Sequence, residues 1–180
     1  LLCIDNLISN TQLDEAHKIC QNLTDKYSSI GSVVNTENYL LNAVLNVEIE
    51  KARCNEISVK LSIANDLKMF SNGSDMISVI GNIFDNAISY LSENKVENKE
   101  IIFSTEHKED YSVIKCKNKI IDSVLSKNPL LQTDKADKKN HGKGISIVKS
   151  IAKKYGGDVV ISEKNNEFIV SVILDNRIFT

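Results

Sequence analysis

The chain has 180 residues, of which 42% are hydrophobic and 26% charged, a composition that supports one domain of ordinary size with a packed core. Its formal charge of −2 and pI near 6.0 exclude the basic surface typical of nucleic-acid-binding domains. No apolar run approaches the roughly 18 residues that cross a bilayer, so we expect this segment to make no membrane contact.

Residues 1–31 have the pattern of the end of a helical hairpin. Leu1, Ile4 and Ile8 recur at helical spacing, and a second amphipathic stripe follows them. A short hairpin cannot bury such a stripe alone, so we expect it to pair with a second copy of itself, as two-helix units do in four-helix bundles. Because the sequence lacks an initiator Met and begins within an apolar helical pattern, we expect it to belong to a longer protein.

The sequence pattern predicts a second domain over residues 32–180. A short polar stretch that is broken at Gly31 separates it from the hairpin. Strands collected on one side of several helices indicate an α/β sandwich of two layers. In chain order we predict a helix capped by Thr36 and ending near Arg53, a strand over Glu56–Ala64, a helix over Asp75–Leu91 capped by Ser74 or Asp75, a hairpin of Ile101–Ser104 and Tyr111–Cys116, a helix from Ile145 to Tyr155, and a hairpin of Asp158–Ser162 and Glu167–Leu174.

The cysteines Cys3, Cys20, Cys54 and Cys116 are scattered through apolar or helical stretches. Neither they nor the histidines have the close spacing of a structural zinc site. We therefore expect the cysteines to be small buried thiols.

The helix over Asp75–Leu91 carries a polar ridge beside its apolar face. Asn82, Asn86 and Tyr90 are four residues apart and therefore lie along one line of the helix. On most amphipathic helices such asparagines are solvated surface positions. The alternative is that they supply neutral oxygen ligands to a metal ion that is already bound to phosphates.

A second stretch, Asn140–Gly157, favours the metal and phosphate interpretation. Gly142 and Gly144 flank Lys143 immediately before an apolar helical pattern, and a glycine pair ends that helix. A Gly-x-Gly that opens a helix lets backbone come close to a ligand, and it presents free N–H groups and the positive end of the helix dipole to an anion. Alone, such a motif is usually only a turn.

Together, the two motifs resemble the nucleotide-binding boxes of the GHKL ATPases (gyrase, Hsp90, histidine kinase and MutL). NIFDNAISY is similar to the asparagine box, and HGKGISIVK is similar to the second glycine box. TDKADKKNHGKGISIVKSIAKKYGGDVVIS resembles the lid, glycine box, helix and strand of sensor histidine kinases of the peptide quorum-sensing type, the accessory-gene-regulator receptors. The resemblance spans residues 1–174 and implies a GHKL (Bergerat) fold, a mixed β-sheet covered by helices.

The resemblance implies ATP and Mg²⁺ as cofactors and assigns roles to the residues of both boxes. Asn86 matches the family's magnesium-binding asparagine, and Asn82 matches the other asparagine of that box. Tyr90 matches an aromatic residue that stacks near the adenine in many relatives.

The matched glycine box comprises His141, Gly142, Lys143 and Gly144, and its glycines and helix N-terminus match the phosphate cradle of the family. Residues 119–141, which include the single proline, match the ATP lid. Lys135, Lys139 and Lys143 either place positive charge at the outer phosphates or are solvated lysines.

Two asparagines bear on the chemistry that the resemblance implies. GHKL members that hydrolyse ATP place a glutamate where Asn82 stands, and a neutral amide cannot act as a general base. ATP would then be held and its γ-phosphoryl group kept for an imidazole nitrogen, a transfer that depends on positioning and charge stabilisation. Asn118 stands where the superfamily has an aspartate that accepts from the adenine amino group. It can accept through its amide oxygen, but the glycines that normally follow are missing, so Asn118 is alternatively a plain strand-end residue.

We therefore interpret the chain as the ATP-binding catalytic portion of a sensor histidine kinase with the end of its dimerisation hairpin. In that family the phosphorylated histidine would lie upstream of Leu1, so we expect no autophosphorylation of this segment, and His17 is an ordinary histidine. The resemblance further implies a homodimer, a response regulator partner, and a cytoplasmic position within a membrane-anchored parent. The alternatives are a binding and dimerisation module without kinase activity, and a serine kinase of the anti-sigma type.

Overall fold

The computed structural model describes residues 34, 36–64, 70–129 and 144–179. Its elements are α1 (Tyr39–Cys54), β1 (Ser58–Ser62), α2 (Gly73–Glu93), β2 (Glu100–His107), β3 (Tyr111–Lys119), α3 (Val124–Lys127), α4 (Gly144–Lys154), β4 (Asp158–Lys164), β5 (Glu167–Asp175) and a 3₁₀ turn (Asn176–Phe179). The predicted hairpin of residues 1–31, with His17, Cys3 and Cys20, lies outside the described residues, so the domain boundary and the homodimer stay predictions.

Five strands form one sheet in the order β1-β2-β3-β5-β4. β1 pairs with β2 in parallel, and the other neighbouring strands are antiparallel. The helix α2 contacts β3 and lies between α1 and α4, which contact β1 and the β4–β5 pair respectively. The predicted two-layer α/β sandwich with a mixed sheet is therefore confirmed, and both predicted hairpins are present, each longer than its sequence pattern indicated.

Alternation of side chains along the strands builds the core. Every second residue of β2 and β3 is buried, and these side chains meet the apolar face of α2, as in the contact of Phe84 with Phe103, whose ring centroids are 5.4 Å apart. Burying one large aliphatic or aromatic side chain contributes about 1.5–3 kcal/mol. The buried residues of α2 are Met76, Val79, Ile80, Ile83, Phe84, Ala87 and Leu91.

The predicted N-caps of α1 and α2 are wrong. Asn38 caps α1, since its Oδ1 accepts from Leu41 N at 3.0 Å, whereas Thr36 donates its hydroxyl to the Asn42 side chain. Asn72 caps α2 by accepting from Ser74 N at 2.9 Å. Asparagine is as good an N-cap as serine, threonine or aspartate, so residue type alone did not identify the capping position.

Predicted burial also fails in places. Val47 and Ile77 belong to the apolar patterns that predict α1 and α2, but they are 56% and 48% exposed. The strand β1 is shorter than predicted and, as an edge strand, buries little of its apolar side. Cys54 is exposed, against prediction, whereas Cys116 is buried, and burial raises the pKa of the Cys116 thiol to about 12.

Candidate nucleotide site

The two motif helices, α2 and α4, lie side by side and antiparallel. Asp75, near the start of α2, binds Lys154 at the end of α4, with 2.6 Å between Oδ2 and Nζ. Asn82, two turns further along α2, meets Gly144, the first residue of α4. The structure therefore brings the asparagine ridge to the N-terminus of the glycine-opened helix.

Contact between Asn82 and Gly144 means that a side chain at position 144 would displace the Asn82 side chain. A Cβ built on Gly144 would lie 2.8 Å from Asn82 Oδ1, closer than such atoms normally approach. The Asn82 amide is also fixed in orientation, because its Nδ2 donates to Ser78 O at 2.6 Å. A substitution at Gly144 would therefore have to break this hydrogen bond or move the helix.

The rest of the ridge is accessible. Asn86 is exposed and Asn82 is half-buried. Tyr90 is half-buried, and its hydroxyl accepts from Ile121 N at 3.1 Å. The predicted line of three side chains is therefore present on α2, and its C-terminal member also binds the segment that follows β3.

Asn118 is buried near the end of β3, between β2 and β5. Its Nδ2 donates to Lys119 O at 3.1 Å, and among the described residues its Oδ1 accepts no hydrogen bond. An acceptor oxygen therefore stands at the end of the central strand, where the resemblance places the contact to adenine.

The segment Ile120–Leu125, which we call the strap, connects β3 to α3 and is bound at both ends. Ile120 N donates to Asn166 O at 2.8 Å. Glu163, on β4, accepts from Ser123 Oγ at 2.6 Å, from Val124 N at 2.6 Å and from Leu125 N at 2.9 Å. These bonds, with that from the Ser123 hydroxyl the largest, lower the pKa of the Glu163 carboxyl.

Glu163 is a residue that sequence reasoning missed. Its partners are 38 to 40 residues away in the chain, and no motif surrounds it. The predicted lid, residues 119–141, begins within β3 and continues through the strap and α3, so its first part has structure of its own. Its remainder, with Lys135 and Lys139, lies outside the described residues, as do His141, Gly142 and Lys143.

The C-terminal end of α4 is fixed by two glycines, as predicted. Gly156 has φ of +63°, and its N–H donates to Lys153 O while that of Gly157 donates to Ala152 O at 2.9 Å, the pattern of a Schellman motif. A Cβ at Gly157 would overlap the carbonyl oxygen of Ile173. Helix α4 therefore ends directly against β5, which fixes its position on the sheet.

Hydrogen bonds join the N-terminal end of α2 to the C-terminal end of α4. The Tyr155 hydroxyl donates to Asp75 Oδ2 at 2.7 Å, beside the Lys154 ion pair. Hydrogen bonds from Lys154 and then Tyr155 lower the pKa of the Asp75 carboxyl. Because Asp75 is tied to α4 in this way, the opposite end of the helix pair, where Asn82 meets Gly144, is held in register.

Within the described ranges, no group of three or more His, Cys, Asp or Glu side chains is placed to hold a metal ion. The donors along α2 are carboxamides, which suit a hard ion such as Mg²⁺ that keeps several ligands from water and phosphate. Asn86, exposed on α2, fits a magnesium ion that arrives with a nucleotide, and Gly144 at the start of α4 fits its phosphates.

The family model described as the GHKL domain matches residues 67–175, more than half of the chain. The chain belongs to the GHKL domain family. No curated protein sequence matches it significantly. In the part of the chain that is described, every helix is too short or too polar to span a membrane.

Solved structures share the fold of this GHKL domain. The nucleotide-free catalytic domain of histidine kinase ThkA is 21% identical, with a TM-score of 0.60 over 78% of this chain and 92% of that chain. Acinetobacter baumannii histidine kinase AdeS is 15% identical, with a TM-score of 0.57 over 92% of this chain and 80% of that one. ThkA in complex with the response regulator protein TrrA is 17% identical, with a TM-score of 0.60 over 94% of this chain and 49% of that chain.

Proposed function

We propose that this GHKL domain is the ATP-binding catalytic region of a sensor histidine kinase. It would position Mg-ATP for transfer of the γ-phosphoryl group to a histidine outside this sequence. The observation that carries the proposal is the contact of Asn82 with Gly144. That contact brings the carboxamide ridge of α2 to the N-terminus of α4, an arrangement that suits a metal-bound triphosphate.

Each side chain of the site has a task that follows from its chemistry. Asn86 supplies a neutral oxygen to the magnesium ion, and Asn118 offers an oxygen to the amino group of adenine. Tyr90 flanks the base, and the N–H groups at Gly144 face the phosphates. Bound Mg²⁺ would neutralise phosphate charge, and the protein would hold the nucleotide in the position needed for phosphoryl transfer.

The site favours holding ATP over hydrolysing it. Asn82 is a neutral carboxamide, which is not basic enough to take a proton from water. ATP would therefore persist until an imidazole nitrogen reaches the γ-phosphorus. In the resembling family that imidazole belongs to the first helix of the dimerisation hairpin.

The fold shared with ThkA, AdeS and the mycobacterial sensor histidine kinase MprB supports this assignment. We propose a response regulator as the protein partner, since the ThkA relative was solved with one. We further propose a parent protein of the peptide quorum-sensing type, anchored in a membrane, dimeric through residues 1–31, and with residues 32–180 as its cytoplasmic ATP-binding domain.

Titration with nucleotide in the presence and absence of Mg²⁺ tests the assignment. We expect magnesium-dependent ATP binding that Asn86→Ala abolishes, because no other ligand of the protein holds the ion in this scheme. Ser92→Ala, an exposed change on the same helix away from the ridge, is the control and should bind as the wild type does. An unchanged affinity for Mg-ATP in Asn86→Ala would argue against the assignment as a kinase.

One observation favours a module that binds nucleotide without transferring phosphate: residues 119–141, which follow Asn118, contain no glycine. Labelled ATP and a supplied hairpin that bears the acceptor histidine distinguish the two functions. A kinase gives label on the hairpin that is lost in acid, as phosphohistidine is, whereas a binding module gives none. Acid-stable label would instead indicate a serine kinase.

A further inference from the structure

We propose that Glu163 is a positioning residue that sets the base selectivity of the nucleotide site by holding the strap against Tyr90. The inference rests on the proposed nucleotide-binding function. Glu163 itself lies on β4, away from the asparagine ridge of α2, so it acts through the backbone between them.

The carboxylate of Glu163 binds one end of the strap at three points. Its Oε1 accepts the N–H groups of Val124 and Leu125 at 2.6 and 2.9 Å, and its Oε2 accepts the Ser123 hydroxyl at 2.6 Å. Hydrogen bonds to an ionised acceptor are the stronger kind. Both oxygens of Glu163 are therefore used to hold two consecutive backbone amides and one side chain.

The other end of the strap is bound to the site. Ile121 N donates to the Tyr90 hydroxyl at 3.1 Å, and one residue separates Ile121 from the Ser123 that Glu163 holds. Asn118 lies two residues before the strap begins, and its Nδ2 donates to the carbonyl oxygen of Lys119, the residue directly before the strap. Tyr90 is therefore hydrogen-bonded to the strap, and Asn118 is hydrogen-bonded to the residue that precedes it.

The phosphate side of the site has separate supports. Asn82 and Gly144 are held by contacts between α2 and α4, and that helix pair is fastened through Asp75. Loss of the Glu163 bonds would release the Ser123–Leu125 end of the strap without loosening these contacts. We therefore expect it to weaken recognition of the base and to leave recognition of magnesium and phosphate in place.

The experiment compares Mg-ATP and Mg-GTP dissociation constants in the full chain. Glu163→Gln keeps the size of the side chain but has no negative charge and has one acceptor oxygen in place of two. We expect ATP affinity to fall by about tenfold and GTP affinity to change little, so the preference for ATP shrinks. Glu167→Gln is the matched control: its carboxylate faces Lys117 at 3.9 Å at the same end of the sheet, and it should keep the wild-type ratio.

Two further measurements separate positioning from general destabilisation. In a Tyr90→Phe background, which lacks the hydroxyl acceptor, Glu163→Gln should have little additional effect, because residues that act through one another are not additive. Hydrogen exchange of Ile121, Val124 and Leu125 amides should speed up in Glu163→Gln while amides of the central strands stay protected.

The outcomes distinguish this inference from the proposed function. A wild-type protein that binds no nucleotide overturns both. A wild-type protein that binds ATP, with an unchanged ATP to GTP ratio in Glu163→Gln or with fully additive effects in the double variant, overturns the role of Glu163 alone.

Discussion

Glu48 shows how a single buried carboxylate shapes the local energetics. It lies between α1 and α2, where Oε1 receives Lys51 Nζ at 2.8 Å and Oε2 is buried with no hydrogen-bond partner among the described residues. Desolvation raises the pKa of the Glu48 carboxyl above its ordinary 4.5, against the opposing effect of Lys51. A buried charge that is only half satisfied costs stability.

Glu48→Gln should therefore stabilise the domain at neutral pH, by about 1 kcal/mol. Because the folded pKa is raised, the folded state holds this proton more tightly than the unfolded chain does. Ionisation costs stability as the pH rises above 4.5, and the advantage of the Gln variant should vanish at lower pH, where Glu48 is protonated. Urea unfolding at pH 7 and pH 4 measures this.

The control for Glu48→Gln is Asp85→Asn, which removes the exposed partner of Lys51 at 3.3 Å and should change stability by less than about 1 kcal/mol. A Gln variant that is less stable than the wild type at both pH values would contradict the sign of the effect.

At the scale of elements, the periodic patterns predicted the helices and strands but did not predict which elements pack against one another. Spacing of four placed Asn82, Asn86 and Tyr90 on one line, and the glycines marked both ends of α4. The predicted caps were wrong, because residue type alone does not decide which of several neighbouring residues caps a helix. The role of Glu163 could not be predicted from the sequence, because a glutamate on a strand gains these hydrogen bonds only when a distant backbone segment lies beside it.

Gly81 of α2 and Gly144 of α4 offer a matched test of the site. Alanine is favoured over glycine within a helix by about 1 kcal/mol, so neither Gly144→Ala nor Gly81→Ala should lower helix stability by itself. At Gly81 a Cβ meets Glu48 Oε1 at 3.7 Å, an ordinary contact, whereas at Gly144 it meets Asn82 Oδ1 at 2.8 Å.

We therefore expect Gly144→Ala to weaken nucleotide binding by moving Asn82, and Gly81→Ala to bind as the wild type does. Calorimetric titration together with thermal melting checks both variants. Equal affinities in the two variants would show that the Asn82 contact does not matter to the ligand.

For the whole molecule, the two-layer fold followed from patterns that every element carries, whereas the site depended on two short motifs and on the fold bringing them together. The contact between Asn82 and Gly144 is a tertiary contact that neither motif predicts on its own. Residues 1–31 and the lid residues beyond Pro129 lie outside the described ranges, so the predictions made for them stand untested.

Acid should destabilise the domain as a whole. Several carboxylates have a lowered pKa because hydrogen bonds or nearby cations stabilise their ionised form; they are Glu50, Asp75, Asp158, Glu163 and Asp175. Their stabilisation is present above the unfolded pKa and is lost as the pH falls through the folded value, which for Asp175 beside Arg177 is about 2.

The free energy of unfolding should therefore decline between about pH 4.5 and pH 2, with Glu48 contributing in the opposite sense. Denaturant titrations across this range give the profile. Asp175→Asn should flatten the most acidic part of the profile, and a flat wild-type profile would contradict the assignment of these hydrogen bonds and ion pairs.

The close approach of Gly144 to Asn82 has an evolutionary consequence. A larger residue at 144 requires Asn82 to move or to be replaced by a shorter residue. Homologous sequences should then show the two sites changing as a pair, with bulk at one matched by its loss at the other, and a lineage that breaks this pairing should also have abandoned its ligand.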